Sequence, residues 1–347
     1  MDKRLSIALL LTALVVAVTP ILFPSPRKAS TSLAPGGKDS VAVSAAGPAI
    51  SGSTVSTTPT APVTTTTTTS TPPVTASAVA LPPADSTPAI PEQVTTVNMP
   101  RTTYRFTNVG ASPVSITMDD YKNLATKKGQ VDLHTTGVKR LLDFAIVAQK
   151  DTIKLGQTPF QVTQSPAAHG AQQLTYRGHA AGMGVSISYL IDSARYLVHV
   201  SGQLTGAPSP AYLLIGLPST LPATETDTLV DLRALAFTFK SQRDNARSVP
   251  FGKLDPGERK FEPGPLTWAA VKNKYFVVGL INPEGSAFEE MTLVGGTRTT
   301  KLATNASATI VKAVKNGAFM FDLYAGPQQS AELLAVGRDF DHVNPYG

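Results

Sequence analysis

The sequence predicts an all-β fold: an antiparallel sandwich preceded by one N-terminal transmembrane helix and completed by one short C-terminal helix. Two observations predict the sandwich. Runs rich in β-branched and aromatic residues recur after residue 95, as in Leu235–Phe239 and Tyr275–Ile281, and clusters of Pro and Gly separate them. No helical pattern alternates with these runs, which favours antiparallel sheets. A third observation, an uncharged apolar stretch near the amino terminus, predicts the membrane helix.

Residues 1–23 are predicted to be the membrane anchor. Leu5–Phe23 carries no charge, and 12 of its residues are Leu, Ile, Val or Phe. As a helix it would be roughly 28 Å long, close to the hydrocarbon thickness of a bilayer. Lys3 and Arg4 before it favour a cytoplasmic amino terminus, although Arg27 and Lys28 after it weaken that preference. A cleaved signal peptide is the alternative, and both interpretations export the rest of the chain.

Residues 24–95 are predicted to be a disordered linker. They consist mainly of Ser, Thr, Pro, Ala and Gly, with six threonines in a row at Thr64–Thr69 and no aromatic residue. Few side chains could be buried to offset the entropy of ordering this segment. A flexible coil of this length reaches about 45–50 Å. A glycosylated stalk is the other interpretation of the same composition.

Residues 96–347 are predicted to form the β domain. Val185–Ile191 alternates apolar and polar residues, and Tyr196–Leu204 follows after a short break, which predicts a hairpin. Asn316-Gly317 separates Ala308–Val314 from Ala318–Tyr324. Because Asn and Gly tolerate the positive φ angles of a type I′ turn, a second hairpin is predicted there. The glycine-rich stretch before Val185 is interpreted as a turn or bulge.

A helix is predicted at about residues 327–337. Pro327 is suited to the first helical turn and Gly337 to the end of a helix. Ala331, Leu334 and Ala335 form an apolar stripe at helical spacing, which we expect to pack on the sandwich. Replacing Leu334 with Asp should then loosen the helix.

Candidate chemistry is sparse in this sequence. The five histidines show no metal-ligand spacing, and the chain has no cysteine, which excludes disulfides and thiolate metal sites. His179 and His199 on neighbouring strands, with Asp192, could perform acid–base chemistry, but isolated strand histidines are the simpler interpretation. The net charge of +6 includes no dense basic run interleaved with aromatics, which argues against nucleic acid as a partner. No catalytic, metal or cofactor site is predicted.

Three stretches together resemble the YidC branch of the YidC/Oxa/Alb membrane protein insertase family. They are Val94–Tyr121, Trp268–Ile281 and Phe321–Gly347. The second resembles the family's Trp-to-Tyr-Phe segment, and the third its Leu-Tyr-x-Gly-Pro-Lys stretch, with Gln328 in place of the family's Lys. The positions that match family motifs are Trp268, Tyr275, Phe276, Tyr324, Gly326, Pro327, Tyr346 and Gly347.

The resemblance implies a β-supersandwich similar to sugar-binding and mutarotase-like folds, on the periplasmic side of the bacterial inner membrane. It implies insertase or chaperone work without a cofactor, with nascent membrane proteins, the membrane and the Sec translocon components SecYEG and SecDF as partners. The family's working groove lies in five later helices that this sequence does not include, so no groove residue is carried over. Trp268, Tyr275 and Phe276 are expected to fill the core or anchor its edge, and Gly326-Pro327 to set a strand-to-helix turn.

Two alternatives to the insertase interpretation remain open at this stage. One is a carbohydrate-binding or mutarotase-like protein, which requires His179, His199 and Asp192 to converge in a cleft. The other is an envelope adaptor that recruits a protein along an exposed sheet edge.

Deleting residues 45–87 should leave the β domain folded, because the predicted linker contributes no packing. Circular dichroism and the thermal midpoint of the deletion variant should match those of the parent chain. A loss of the β signal would mean that the linker is part of the folded domain.

Overall fold

The computed structural model describes residues 90–135, 137–299 and 302–344. The predicted anchor, nearly all of the predicted linker, and Tyr346 and Gly347 lie outside these residues. Every strand pairing in the described part of the chain is antiparallel, which confirms the predicted all-β class. Among the helices of the described part, none is long and apolar enough to cross a membrane.

The smaller of the two main sheets contains the first four strands. In their order across the sheet they are β1 (Val94–Asn98), β2 (Thr102–Thr107), β3 (Ser112–Lys122) and β4 (Gln130–Asp132). Strand β1 begins two residues before the expected start of the domain.

The larger sheet has fourteen strands. Its strands are β5 (Asp143–Ala148), β6 (Asp151–Lys154), β7 (Gln161–Pro166), β8 (Gln172–Ala180), β9 (Met183–Ile191), β10 (Leu197–Thr205), β11 (Ala211–Gly216), β12 (Ala236–Ser241), β13 (Arg247–Pro250), β14 (Arg259–Lys272), β15 (Phe276–Ile281), β16 (Phe288–Gly295), β19 (Ala306–Val314) and β20 (Ala318–Pro327). The main path runs β6-β5-β11-β19-β16-β14-β15-β20-β10-β9-β8-β7, and β12 joins β14 to β13.

A two-stranded ribbon and several short helices complete the described part. The ribbon is β17 (Arg298–Thr299) with β18 (Leu302–Ala303), and the α-helices are α1 (Thr228–Arg233) and α2 (Ser330–Val336). Single 3₁₀ turns occupy Leu155–Gln157, Ala168–Gly170, Phe251–Lys253 and Phe340–Val343.

Side-chain alternation explains how the strands bury one face. On β9, Val185, Ile187 and Tyr189 are buried, as the sequence pattern predicts, while the residues between them are half-exposed. The predicted hairpin between β9 and β10 is confirmed by their antiparallel register. The glycine-rich stretch is a two-residue turn from β8 to β9, with positive φ at Ala181 and Gly182.

The two main sheets share one hydrophobic core. Phe106 of β2 packs against Tyr189 of β9, with ring centroids 4.8 Å apart. The Tyr189 hydroxyl donates a 2.6 Å hydrogen bond to the carbonyl oxygen of Ala111 in the β2–β3 turn. Because this hydroxyl is buried, the bond removes an otherwise costly unsatisfied group and fixes the smaller sheet on the larger one.

The hairpin predicted at Asn316-Gly317 is wrong, although the turn itself is present. Both residues have positive φ, and Lys315 and Ala318 exchange backbone hydrogen bonds across the turn. Beyond that single bridge the strands diverge: β19 pairs with β11 and β16, whereas β20 pairs with β10 and β15. Because β19 and β20 each pair with two other strands, the tight turn between them connects two distant parts of the larger sheet.

The predicted C-terminal helix exists, but its start and its buried face are wrong. Helix α2 begins at Ser330, because Pro327 is still paired to Phe276 as the last residue of β20. Leu333 is buried at 2% exposure, whereas Leu334 is 59% exposed. The predicted stripe of Ala331, Leu334 and Ala335 therefore faces solvent, and a Leu334→Asp change should be tolerated.

Replacing Leu333 with Ala should lower the free energy of unfolding by about 2–3 kcal/mol, because it leaves a cavity under α2. Leu334→Ala, one residue away, is the matched control and should change stability by less than about 0.5 kcal/mol. Urea unfolding of both variants measures the difference. Equal losses in the two variants would contradict the orientation of the helix.

Candidate functional site

Five of the positions that resemble family motifs lie on three neighbouring strands, and a sixth lies directly beside one of them. Trp268 is on β14, Phe276 is on β15, and Tyr324, Gly326 and Pro327 are on β20. The sixth, Tyr275, immediately precedes β15. Phe276, the first residue of β15, pairs with Pro327, the last residue of β20, so the two strands meet where the chain turns toward α2. We call the region from the end of β20 to Asn344, which follows the 3₁₀ turn Phe340–Val343, the C-terminal junction.

An aromatic cluster fixes the C-terminal junction on the sheet. The Trp268 indole N–H donates a 3.1 Å hydrogen bond to the Arg338 carbonyl, and the indole meets Phe340 edge-on with centroids 5.4 Å apart. Phe340 also meets Tyr324 at 5.4 Å. A Cβ on Gly279 would lie 2.6 Å from the Phe340 ring, so the glycine leaves the space that this ring fills. Trp268 and Phe276 are buried, as are Tyr324 and Phe340.

Arg101 connects the smaller sheet to helix α2. Its Nη1 donates a 2.8 Å hydrogen bond to the Glu332 carboxylate, and its guanidinium lies 4.3 Å from the centre of the Tyr196 ring. The Glu332 bond raises the pKa of Arg101, and burial raises the pKa of Tyr196 to about 12. A Cβ at Gly326 would lie 2.7 Å from Tyr196, so only glycine allows the strand this close.

The Gln328 amide joins three chain segments at the junction. Its Nε2 donates to the carbonyl oxygens of Asn273 at 2.8 Å and Phe276 at 3.1 Å. Its Oε1 accepts a 2.7 Å hydrogen bond from the Asn344 amide, whose own oxygen accepts from the Lys272 ammonium. Burial lowers the pKa of Lys272. The strand-to-helix turn is not at Gly326-Pro327, as expected, because these two residues end β20. The chain turns toward α2 at residues 328 and 329.

A buried carboxylate supports the opposite side of the same region. Asp231 of α1 accepts hydrogen bonds from the Thr224 backbone N–H at 2.6 Å and hydroxyl at 3.1 Å. Its other oxygen accepts from the Lys274 backbone N–H at 3.3 Å. Asp227 caps the helix by accepting from the Val230 N–H at 3.1 Å. These bonds hold α1 against the β14–β15 turn.

A groove of about 360 Å³ lies between these supports. Tyr275 is 38% exposed on its wall and is therefore not a core residue, unlike its neighbour Phe276. Besides Tyr275 and Phe276, the lining residues come from β3, β4, the segment before α1, the β14–β15 turn and the junction: Tyr121, Lys122, Val131, Thr224, Glu225, Lys274, Pro327, Gln328, Gln329 and Asn344. The lining offers hydrogen-bond donors and acceptors, aromatic faces and two lysines, and it includes no histidine.

A second polar site surrounds Lys312 on β19. Its Nζ donates hydrogen bonds to Asn282 Oδ1 at 2.5 Å, Ser286 Oγ at 2.5 Å and the Ala287 carbonyl at 3.2 Å. Each acceptor is uncharged and the side chain is buried, so desolvation lowers the pKa of Lys312 to about 8. This site lies outside the groove and holds the segment between β15 and β16.

The proposed acid–base set of His179, His199 and Asp192 is not assembled. His179 lies opposite Gly184 at one end of β9, and His199 lies opposite Leu190 near the other end. Six residues of strand separate these levels, roughly 20 Å at 3.3 Å per residue. His199 instead pairs with Asp322 at 2.6 Å, which raises the pKa of the imidazole. Among the described residues, no cluster of three metal-ligating side chains is present.

Sequence reasoning missed the residues that organise the groove. Asp231, Gln328, Asn344 and Phe340 each act on a partner far away in the chain, so local patterns do not reveal them. Asn273 is the one residue of the groove support that the sequence could have indicated, because a polar residue between two strands suits a turn. Its Oδ1 accepts from the Tyr275 and Phe276 N–H groups at 2.9 and 2.7 Å.

The similarities to solved structures are distant. A galactose mutarotase-like protein from Lactobacillus casei is 10% identical, with a TM-score of 0.46 over 68% of this chain and 100% of its own. A galactose mutarotase related enzyme from Lactobacillus acidophilus is 9% identical, with a TM-score of 0.41 over 67% and 97%. The alpha-galactosidase from Lactobacillus brevis is 10% identical, with a TM-score of 0.38 over 70% and 40%. Similarities with such low identities and TM-scores do not indicate the function of this chain.

The fold and the groove define an antiparallel β-sandwich domain whose candidate site is a polar and aromatic groove beside its C-terminal junction. None of the curated proteins matches the chain. The family model for the YidC periplasmic domain matches residues 94–347, and the chain belongs to this family. The match confirms the resemblance seen in the sequence. It makes the domain the extracytoplasmic part of a membrane protein with an insertase-related function.

The titration of Lys312 should make stability depend on pH. The unfolded amine stays protonated up to about pH 10.5, whereas the folded amine releases its proton near pH 8. The folded state therefore binds fewer protons between these values, and this group makes the free energy of unfolding rise with pH there. Lys312→Met should remove that rise, while Lys315→Met, an exposed control on the same segment, should keep most of it. Urea unfolding at several pH values measures the slopes, and equal slopes in the parent chain and Lys312→Met would contradict the lowered pKa.

Proposed function

We propose that this chain is the N-terminal, membrane-anchored part of a membrane protein insertase, and that its periplasmic domain aids the insertion and folding of inner-membrane proteins. The observation that carries the proposal is the family match over residues 94–347. In this proposal residues 1–23 anchor the chain with a cytoplasmic amino terminus, residues 24–95 tether the domain, and residues 96–347 act in the periplasm.

The proposed partners are nascent membrane proteins, with or without the Sec translocon components SecYEG and SecDF. The groove supports this role, because it combines exposed Tyr275 with the exposed polar side chains of Gln329 and Lys274. A polypeptide segment with both apolar and polar groups could be held there without chemistry. The proposed role is therefore that of a chaperone, without a cofactor or a covalent step.

The mutarotase-like alternative is not adopted, because its acid–base residues lie at opposite ends of β9. The adaptor alternative has edge strands available, such as β7, but no described feature specifies a partner for them.

Photo-crosslinking in living bacteria tests the proposal. A benzoylphenylalanine at Gln329, on the groove wall, should capture newly made inner-membrane proteins during a short pulse. The same residue at Phe261, which is exposed far along β14, is the matched control and should capture few of them. Equal capture at both positions, or capture of soluble exported proteins alone, would overturn the role in membrane protein folding.

A further inference from the structure

Four exposed apolar side chains lie on three short segments that hydrogen bonds join beside the groove. Leu124 is in the β3–β4 turn, Leu229 and Val230 are on α1, and Tyr275 is in the β14–β15 turn. We call these four residues the loop surface. They make up half of the exposed large hydrophobic side chains in the described part of the chain, although they come from three short segments. Clustered apolar exposure of this kind marks an interaction surface.

Backbone hydrogen bonds hold the loop surface in place. The Leu124 N–H donates to the Thr224 carbonyl at 2.9 Å, and the Thr224 N–H donates to buried Asp231 at 2.6 Å. Asp231 also receives the Lys274 N–H, immediately before Tyr275. The three segments are thus connected through one carboxylate, and their apolar side chains are presented on a braced backbone.

The charged groups beside the loop surface are mainly basic. Lys122, Lys127, Lys128 and Lys274 are exposed on the same turns, and no carboxylate of the described residues lies within salt-bridge distance of any of them. Of the nearby acids, Asp120 pairs with Arg101, Asp119 accepts from the Thr103 hydroxyl, and Asp227 caps α1. Buried Asp231 accepts from Thr224 and from the Lys274 backbone N–H, which leaves Glu225 on the groove wall. The Lys274 ammonium lies over the Tyr275 ring, 4.8 Å from its centroid. The surface therefore combines exposed apolar side chains with an excess of ammonium groups that form no salt bridge within the described residues.

We propose that the loop surface docks the domain on the anionic surface of the lipid bilayer. Lysine is depleted from the centres of protein–protein interfaces, whereas apolar tips flanked by lysine and tyrosine suit the headgroup region of a membrane. Asn344 lines the same groove, so the C-terminal junction lies beside the surface that meets the lipid. Docking would fix the orientation of the groove relative to the bilayer, which the predicted flexible linker alone would not do.

This inference rests on the membrane anchoring proposed above, and the test separates the two. The chain has no cysteine, so single labels can be placed without background. Leu124→Cys and Leu229→Cys carry an environment-sensitive fluorophore, and the full chain is reconstituted into lipid nanodiscs. Phe261→Cys and Met320→Cys, at 59% and 55% exposure against 46% and 55%, are the matched controls. Retention of the chain on discs washed at high salt, which weakens docking, reports the anchor independently.

In discs that contain phosphatidylglycerol, labels at 124 and 229 should shift to the blue and be quenched by lipid-borne quenchers, and the controls should not. Replacing Lys127, Lys128 and Lys274 with Glu should weaken docking by about fivefold or more per lysine. High salt or purely zwitterionic lipid should weaken it in the same direction.

Two results would overturn the proposal. In the first, labels at 124 and 229 behave like the controls while the chain stays on the discs, which counts against docking and leaves the anchor intact. In the second, the two labels shift to the blue without quenching by the lipid-borne groups, which assigns the surface to a second copy of the chain or to another protein.

Discussion

The packing of Phe340 between Trp268 and Tyr324 is the contact on which the rest of the C-terminal junction depends. It is possible only because Gly279 leaves room on the neighbouring strand. With the ring in place, the Trp268 indole reaches the Arg338 carbonyl, and the chain returns toward the end of β20. The path of the chain from the end of α2 to Asn344, which lines the groove, follows from this one packing arrangement.

The groove is then shaped by an amide where the family motif has a lysine. Gln328 donates to two carbonyl oxygens and accepts from Asn344 at the same time. A lysine could donate to the carbonyls, but it has no acceptor for the Asn344 amide. The departure from the motif is therefore matched by Asn344, and the neutral pair avoids placing a second ammonium beside half-buried Lys272, which already has a lowered pKa.

Local signals predicted local structure, and they failed where the partner lies far along the chain. The alternation in β9 and the positive φ angles at Asn316 and Gly317 follow from side-chain period and turn chemistry. Whether β19 pairs with β20 depends instead on competition from β11, β16, β10 and β15, which no local pattern reports. In α2, a helix of seven residues, the apolar positions fit two phases, and the Arg101–Glu332 bond and the burial of Leu333 select one. The groove was not predicted, because its bonds join residues dozens of positions apart.

The junction and the groove share a support, which has a mechanical consequence for the domain. β14, β15 and β20 carry both the aromatic cluster and the turn that Asp231 braces, so α1, the groove and the chain at Asn344 belong to one tightly bonded end. Moving Asn344 would first break its hydrogen bond to Gln328 and then disturb the carbonyls of the β14–β15 turn. The groove and the end of the described chain should therefore keep a fixed relation to each other. Whatever positions Asn344 also positions the surface that surrounds the groove.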